Sequence, residues 1–427
     1  FARAQNINNG FHFDGADCFP LQDIHKVGVK VSQPGDVVFT SKGTVGRFAF
    51  VGDEVPRFVY SPQLCFWRVL DCDRLHARWL YYWMQSREFY LQFTGVAGQT
   101  DMAEYVSLRD QRCMHITIPP LAEQKAIAHI LGTLDDKIEV NRRMNETLEG
   151  MARALFKSWF VDFDPVLDNA LAAGNPIPEE YRDRAAQRAD AATSAASQGR
   201  PFGLPNPLAA QFPNAFHDSD LGPIPQGWEV STVGDIAEIN NWTLGKRDAL
   251  DIIDYIEISE VMRGDIGKIS RYARGEEPSR ARRRLKHGDT VLSTVRPDRG
   301  AYFLALQPRE TLIASTGFAV LTPKDGNWAF LNAATTQPEF GEELGRRADG
   351  GAYPAIRPDV VGNRELVIPG GGQLATAFAE EIQARRRARQ RTRRETGELG
   401  ASLGRRRRPR YRPMAAPRRP AQSTDPR

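Results

Sequence analysis

The sequence contains one pattern twice, with about 250 residues between the copies. A turn and strand that begin at Gly35 and Asp36 recur at Gly288 and Asp289, and similar residues follow both in the same order. The further matching positions are Arg47 with Arg299, Ser61 with Ser315, Phe89 with Phe340, Tyr105 with Tyr353, Arg109 with Arg357, and Pro119 with Pro369. Arrays of small repeats have periods of about 20–50 residues, so a period this long predicts two copies of a whole domain.

Length and composition fit a globular protein with two or three cores. The chain has 427 residues, of which 41% are hydrophobic and 26% charged. No apolar run approaches the roughly 18 residues that would span a bilayer, and no signal peptide opens the chain, so we expect a cytoplasmic protein without membrane contact. The cysteines, which form no Cys-x-x-Cys pair, are expected to be buried thiols rather than a disulfide or metal frame. They are Cys18, Cys65, Cys72 and Cys113.

The net charge of +4 is the sum of an acidic part, which precedes residue 385, and a basic C-terminal part. Residues 385–427 hold 16 of the 57 basic residues and 3 of the 53 acidic ones, which leaves 41 basic and 50 acidic residues before them. The isoelectric point therefore gives no argument for nucleic-acid binding. A phosphate-binding surface would have to be a local patch.

Each copy is expected to be a mixed α+β module. Short runs rich in Val, Phe, Tyr and Trp predict strands at 36–40, 46–51 and 64–70, and residues 78–93 have the spacing of a helix. The aromatic side chains of that helix are expected in the core rather than stacked on bases; they are Trp79, Tyr82, Trp83 and Phe89. The second copy opens at Trp228, 61 residues before Asp289, whereas Asp36 has 35 residues before it. We therefore expect the first copy to be truncated at its N-terminus.

The longest helical pattern in the chain lies between the copies. Residues 121–160 contain no Pro, and apolar residues recur there in alternate steps of three and four, which predicts a coiled-coil helix about 60 Å long. The predicted seam consists of Ile127, Leu131, Leu134, Ile138, Asn141, Asn145, Leu148, Ala152, Leu155 and Trp159. Asn141 and Asn145 would fix register at a cost in stability. The alternative is an ordinary amphipathic helix buried against one domain. Residues 191–200, in the following connector, are expected to be flexible.

Five segments together carry a family resemblance. They are IPPLAEQKAI from Ile118, LDDKI from Leu134, FKSWFVDFDP from Phe156, GLP from Gly203 and IPQGW from Ile224. In this order they resemble the specificity subunits of Type I restriction-modification systems, over about residues 1–380. The resemblance implies two tandem homologous target-recognition domains separated by long coiled-coil spacer helices. Each domain would read one half of a bipartite site in double-stranded DNA.

The resemblance also implies partners and a division of the chain. The spacer helices would dock two modification (methyltransferase) subunits, restriction (endonuclease) subunits would complete the complex, and this chain would need no cofactor or metal. We expect a truncated target-recognition domain at 1–119, the first spacer helix at 120–163, a linker at 164–223 and the second domain at 224–370. A degenerate second spacer helix would follow at 371–404 and a disordered Arg/Pro-rich tail at 405–427.

The second spacer helix departs from the family pattern. A seam begins at Leu374, Phe378 and Ile382, but the next seam positions fall among arginines from Arg385 onward. We interpret this as a shift of reading frame near Arg385, which the absence of a leucine heptad in the other frames would contradict. The alternative is a genuine basic tail for non-specific DNA contact.

Candidate DNA contacts lie in polar turns and loops with cations or amides, the groups that read bases or hold phosphates. They are Lys42, Arg47, Gln99, Thr100, Arg263, Lys268, Arg271, Arg283, Lys286, Arg296 and Arg299. The basic cluster around Arg283 and Lys286, with Arg280, Arg282 and Arg284, would suit phosphates. For any single residue of the set, solvated surface charge is the alternative. Subunit docking is assigned to the spacer helix, through Ile127, Leu131, Leu134, Ile138, Asn141, Asn145, Leu148, Leu155 and Trp159.

Catalytic motifs are missing from the sequence. It has no glycine-rich cofactor loop, no Asn/Asp-Pro-Pro-aromatic motif, no carboxylate cluster with a Lys for Mg²⁺, and no His-x-x-x-His spacing. We therefore expect a non-catalytic subunit. A coiled-coil scaffold that binds only proteins is the alternative, and two elaborate globular domains argue against it.

Overall fold

The computed structural model describes residues 1–7, 10–13, 15–41, 47–97, 106–245, 248–351 and 353–407. The chain divides into two compact units, and both are mixtures of helices and strands. Unit 1 comprises Phe1–Met144 and Arg391–Arg427, and unit 2 comprises Asn145–Gln390. Among the described helices, none has both the length and the apolar character needed to cross a bilayer.

Unit 1 is built on a three-stranded antiparallel sheet covered by helices. Its elements are β1 (Val37–Thr40), β2 (Phe48–Phe50), β3 (Leu64–Trp67), α1 (Ala77–Trp83), α2 (Arg87–Ala97), α3 (Leu108–Arg112) and the first part of α4 (Leu121–Phe160). The middle strand is β1, and both of its faces are buried. Val37 and Phe39 contact the helix side, whereas Val38 belongs to a second cluster with Ala49 and Tyr60. Alternate side chains of a strand point to opposite faces, so one short strand serves two cores.

The predicted helix at 78–93 is two helices in the structure. α1 ends at Trp83 and α2 begins at Arg87, with a turn at residues 84–86 between them. The Ser86 side chain accepts a hydrogen bond from the Phe89 backbone N–H at 3.4 Å, in the manner of a helix N-cap. The four aromatic residues expected in the core are buried, with exposed fractions of 1–6%.

Helix α4 has the bounds expected from the sequence, and its first part packs on α1. Gln124 is fully buried, and its side chain bonds the backbone of His76 at 2.8 Å, Arg74 at 3.1 Å and Pro119 at 2.8 Å. Further along, the Tyr82 hydroxyl donates to Asp135 at 2.9 Å. All ten predicted seam positions are buried or half-buried, whereas Ile130, Val140, Met144 and Met151 are exposed.

Unit 2 begins with a connector that is more ordered than expected. Its helices are α5 (Asp164–Ala173), α6 (Arg182–Ser197) and α7 (Asn206–Ala209), so the prediction of a flexible segment at 191–200 is wrong for residues 191–197. Alanine has the highest helix propensity, and two bidentate ion pairs join α6 to α5. Arg184 bonds Asp164 at 2.7 and 3.0 Å, and Arg188 bonds Asp168 at 2.6 and 2.5 Å.

The rest of unit 2 contains five sheets and a further group of helices among the described residues. The strands are β4 (Phe216–Ser219), β5 (Gly222–Pro225), β6 (Glu229–Thr232), β7 (Ala237–Ile239), β8 (Ile252–Ile256), β9 (Val261–Met262), β10 (Asp265–Ile266), β11 (Ser270–Ala273), β12 (Ala281–Arg284), β13 (Asp289–Ser293), β14 (Tyr302–Ala305), β15 (Leu312–Ser315), β16 (Phe318–Pro323) and β17 (Glu365–Ile368). The helices are α8 (Val233–Ile236), α9 (Trp328–Thr335), α10 (Pro338–Arg346), α11 (Pro358–Gly362) and α12 (Gln373–Arg407), whose residues after Gln390 belong to unit 1. The two larger sheets have the orders β14-β13-β16-β7 and β11-β8-β15-β12, and the hairpins β9-β10 and β4-β5 and the pair β17-β6 complete the set.

The two copies have the same arrangement of elements. β13 is flanked antiparallel by β14 and β16, as β1 is by β2 and β3, and a pair of helices follows each sheet. The correspondence reaches further toward the N-terminus than the sequence indicates. Three pairings of the second copy have a counterpart in the first, where each is a single bridge: Arg284 with Ile313 matches Val31 with Val59, Ile256 with Ala314 matches Ala2 with Tyr60, and the β9-β10 hairpin matches Ile7 with Phe11.

The second long helix, α12, continues past the point where the apolar seam stops. In unit 2, Phe378 lies 5.8 Å from Phe156 and 5.9 Å from Trp159 between ring centroids. In unit 1, the Asn141 side-chain amide donates to the Thr396 hydroxyl at 3.2 Å. The contact between α4 and α12 is therefore polar at the positions where the apolar seam is interrupted. The disordered tail was predicted at 405–427; residues 405–407 instead lie in α12, and those from 408 onward lie outside the described residues. The cysteines are free thiols, but Cys18, Cys72 and Cys113 are exposed rather than buried as expected.

Candidate nucleic-acid interface

The repeated Gly-Asp turn is a structural feature in both copies. Gly35 and Gly288 have φ values of 90° and 89°, in the region that favours glycine. Asp36 is fully buried and accepts hydrogen bonds from the Arg68 guanidinium at 2.6 and 2.7 Å. Asp289 is also fully buried and accepts from the Lys286 backbone at 2.6 Å, and burial raises the pKa of its carboxyl. These acids hold turns together and are not available to a ligand.

The first copy has one candidate contact within the described residues. Lys42, Gln99 and Thr100 lie outside the described residues. Arg47 is half-buried at the start of β2, where its backbone exchanges hydrogen bonds with Thr40 at 3.1 Å. Its role as a DNA contact stays a prediction.

In the second copy, one set of candidates lies along β12, the last strand of its sheet; we call Trp242, Arg280, Arg283 and Lys286 the sheet-edge group. Among the described residues no carboxylate lies within ion-pair distance of Arg280 or Arg283, and burial lowers the pKa of the Arg283 guanidinium. The Arg283 Nε is buried without a hydrogen-bond partner among the described residues. The Lys286 ammonium lies 3.0 Å from the centroid of the Trp242 ring, which is 38% exposed.

Two arginines beside this group have acidic partners. Arg282 lies 3.4 Å from Glu277, which also pairs with Arg274 at 2.6 Å, and Arg284 lies 3.1 Å from Asp248. Surface ion pairs of this kind still leave N–H groups exposed, but the acids offset part of the positive charge. The basic cluster expected from the sequence therefore reduces to the sheet-edge group.

Arg271 and Lys268 lie apart from the sheet-edge group. Arg271 is on β11, the strand at the opposite end of the same sheet, where it bonds Asp254 on β8 at 2.7 and 3.3 Å. This hydrogen bond is the main reason why the pKa of Asp254 is lowered. Lys268 is exposed in the connection between β10 and β11.

A second set of cations comes from three loops that adjoin in unit 2; we call Arg263, Arg296, Arg299 and Tyr353 the loop group. The Arg263 backbone N–H donates to the Gly300 carbonyl at 2.8 Å, and the Arg299 N–H donates to the Arg296 carbonyl at 3.0 Å. The Arg296 guanidinium lies 5.0 Å from the centroid of the Tyr353 ring. Tyr353, one of the positions that match between the two copies, is 74% exposed.

A cleft of about 200 Å³ lies beside the loop group, between α10 and the β13-β14 pair. Arg263, Arg153 and Tyr302 line it, together with Gly300 and Gly341. The Tyr302 hydroxyl donates to Glu149 at 3.0 Å, and burial together with that carboxylate raises the pKa of Tyr302 to about 12. The hydroxyl therefore stays protonated at neutral pH.

Parts of this chain are similar in sequence to known proteins. Residues 23–150 match the family model described as the Type I restriction modification DNA specificity domain. The HindI specificity subunit of the Type I restriction enzyme from Haemophilus influenzae is 28% identical over 235 residues, which cover 51% of this chain and 50% of that protein. The MjaIX specificity subunit from Methanocaldococcus jannaschii is 21% identical over 218 residues, which cover 51% of this chain and 39% of that protein.

Solved structures of the same kind are also similar. The S subunit of a Type I restriction-modification system from M. genitalium matches with a TM-score of 0.43 and 12% identity, over 87% of this chain and 82% of that one. The chain spans half or less of the length of the two curated relatives above. The chain is similar to specificity subunits of Type I restriction-modification systems, and its residues 23–150 match the model of their DNA specificity domain.

Proposed function

We propose that this chain is the DNA-reading, non-catalytic specificity subunit of a Type I restriction-modification complex. The observation that carries the proposal is the duplication of one α+β domain in a chain whose first copy matches the DNA specificity family. Each copy would read one half of a bipartite duplex site. Because the side chains outside the shared turns differ between the copies, the two halves need not be related by symmetry.

Cations without acidic partners support a duplex as the ligand. The body of the chain before residue 385 has more acids than bases, so exposed unpaired cations there are not explained by overall charge. In unit 2 the exposed cations without an acidic partner among the described residues include Arg263, Lys268, Arg280, Lys286 and Arg299. We assign the sheet-edge group to phosphates, since a lysine on a tryptophan face and a half-buried arginine offer charge next to an apolar surface.

Partner subunits would supply the chemistry of the complex. We propose that α4 and α12 dock two modification (methyltransferase) subunits and that restriction (endonuclease) subunits join them, with the complex acting on DNA in the cytoplasm. The exposed apolar side chains of Ile130, Val140 and Met144 on α4 support this proposal, because they leave apolar surface uncovered in unit 1. The predicted domain boundaries, with spacers at 120–163 and 371–404, belong to the same proposal.

Mapping methylated bases in DNA exposed to the reconstituted complex tests the function. The chain should be co-expressed with the modification subunits of the same system, and a complex without this chain is the control. We expect methylation at one motif with two short halves and a fixed gap, and duplex affinity that falls steeply with salt. Intact assembly with no duplex preference would favour the protein-binding scaffold instead.

A further inference from the structure

The β9-β10 hairpin of unit 2 turns on an arginine, which is an unusual residue for that position. Only Arg263 and Gly264 connect the paired residues Met262 and Asp265, and their φ values are 43° and 85°. Two-residue turns with positive φ at both positions favour Asn-Gly, because asparagine tolerates this conformation better than residues with longer side chains do. The local requirements of the turn therefore do not account for an arginine at the tip.

The tip of the hairpin is fixed against the neighbouring turn and strand. The Arg263 N–H donates to the Gly300 carbonyl at 2.8 Å, and the Gly264 N–H donates to the Tyr302 carbonyl at 2.7 Å. The side chain is held as well, since a Cβ at Gly300 would lie 3.4 Å from the Arg263 Cγ and 3.7 Å from its Nε. Gly300 leaves room for this stem and has a φ of 70°, which favours glycine. The position from which the Arg263 guanidinium projects is therefore set by the fold.

The Arg263 side chain is exposed to solvent. Within the part of the chain that the structure describes, its guanidinium has no hydrogen-bond acceptor and no carboxylate at ion-pair distance. A guanidinium presents its donors in a planar fork, which can bond two acceptors of one ligand at the same time. Arg263 thus offers a forked donor on a stem that is positioned before a ligand binds.

The corresponding position of the first copy has amides in the sequence. The bridge between Ile7 and Phe11 matches the hairpin, and the residues between them are Asn8, Asn9 and Gly10, of which Asn8 and Asn9 lie outside the described residues. A position that only holds phosphate gains from a cation in both copies. A position that reads bases changes its side chain with the base, because arginine matches guanine and asparagine matches adenine. The difference between the copies therefore favours base reading.

We propose that Arg263 reads a guanine in the half-site recognised by the second copy. A two-stranded ribbon fits the major groove, and the fork of Arg263 would donate to O6 and N7 of the base, which is the commonest specific contact there. The exposed cations Arg299 and Lys268, in the neighbouring connections, would hold flanking phosphates. This inference rests on the proposed function.

The test measures base discrimination rather than affinity alone. The complete complex is assembled with its modification subunits, and methylation rates are compared on duplexes in which each base pair of the motif is replaced in turn. Arg263→Lys keeps the charge but removes the fork, so discrimination at one G·C pair should fall roughly tenfold to a hundredfold while the other positions stay unchanged.

A second variant and a control complete the experiment. Arg263→Asn should fold as the parent does, because asparagine tolerates the positive φ of the turn. It should lose the same discrimination, and any preference that replaces it should be for an A·T pair. Arg182→Lys, at an exposed arginine on α6, is the matched control and should keep the motif of the parent.

Two results would overturn the inference. A uniform loss of affinity over all sequences, with a salt dependence reduced by about one phosphate contact, would make Arg263 a backbone contact. Unchanged discrimination in both Arg263 variants, in complexes that assemble and melt as the parent does, would exclude a base contact at this residue. A parent complex without any sequence preference would instead refute the proposed function, so the two failures are distinguished.

Discussion

At the scale of single residues, the cations on the surface of unit 2 differ in the contacts that hold their side chains. Arg271 and Asp254 form an ion pair between strands, and Arg284 is paired with Asp248. Arg283 and Arg296 are instead held by burial and by an aromatic face. A cation bound by a carboxylate must exchange that partner to bind DNA, which makes it the weaker candidate for a nucleic-acid contact.

Backbone strain at Arg296 predicts an unusual order of stability among variants. Arg296→Ala and Arg296→Gly both remove the side chain, but only glycine relieves the positive φ of 48°. We expect the Gly variant to be more stable than the Ala variant by about 1 kcal/mol. At Arg282, in strand β12, the order should be reversed, because Gly weakens a strand. Urea unfolding of the four variants checks this, and the same order at both sites would contradict the strain.

The Arg271–Asp254 pair predicts a pH-dependent contribution to stability. The hydrogen bond from Arg271 lowers the pKa of Asp254 below 3.8, so the contribution is present above that pH and is lost as the pH falls through the lowered value. We expect Arg271→Ala to lower the melting temperature at pH 7 and to approach the parent below pH 3.8. Lys268→Ala, at an exposed cation nearby, should show no such dependence. A constant difference across the pH range would contradict this assignment.

At the scale of elements, the Gly-Asp turn sets how closely a helix approaches the sheet. A Cβ at Gly288 would lie 2.9 Å from the Cβ of Trp328, the first residue of α9, so the helix start rests on the turn. At Gly35 the corresponding distance is 3.5 Å to the Cβ of Ala77, the first residue of α1. The same contact thus recurs in both copies, with the larger side chain in the second.

Alanine substitutions at Gly275 and Gly288 distinguish the cost of backbone strain from the cost of a steric clash. Gly275 has φ 95° and open space around it, whereas Gly288 has φ 89° and the close contact with Trp328. Gly275→Ala should cost about 1–2 kcal/mol from backbone strain alone. Gly288→Ala should cost roughly 1–3 kcal/mol more, because the backbone of the turn or α9 must move. Denaturation midpoints of both variants measure the difference, and equal losses would show that the helix start yields freely.

Elements with a clear local pattern could be predicted from the sequence, and contacts between distant segments could not. Helix α4 was predicted with its bounds because Pro120 precedes it and no Pro interrupts its heptads. The alanine-rich end of α6 was interpreted as flexible because its pattern lacks large apolar residues, although ion pairs from Arg184 and Arg188 fix the helix. The loop group was missed as a unit, because Arg296 and Tyr353 are brought together by a bridge between segments far apart in sequence.

At the scale of the whole molecule, the repeat extends over more residues in the structure than the sequence indicates. The bridges at Ala2 and Ile7 match β8 and β9 of the second copy, although the residues are almost all different. Backbone pairing therefore identifies equivalent positions that sequence comparison does not. The sequence also does not indicate how the chain divides into the two units. Unit 2 is one continuous stretch, Asn145–Gln390, while unit 1 is completed by residues from the far end of the chain.

This asymmetry predicts which half of the molecule can stand alone. Among the described residues, every hydrophobic cluster of unit 2 takes its members from 145–390, so a fragment of those residues keeps its cores intact. A fragment of residues 1–144 would lose Thr392 and Thr396, the partners of Asn141. We expect the 145–390 fragment to melt cooperatively and to prefer duplexes that contain its own half-site. The 1–144 fragment should be cleaved by protease within the end of α4 at a rate that the intact chain does not show. Non-cooperative melting of the 145–390 fragment would mean that unit 2 depends on the rest of the chain, and its cores would then be insufficient for folding.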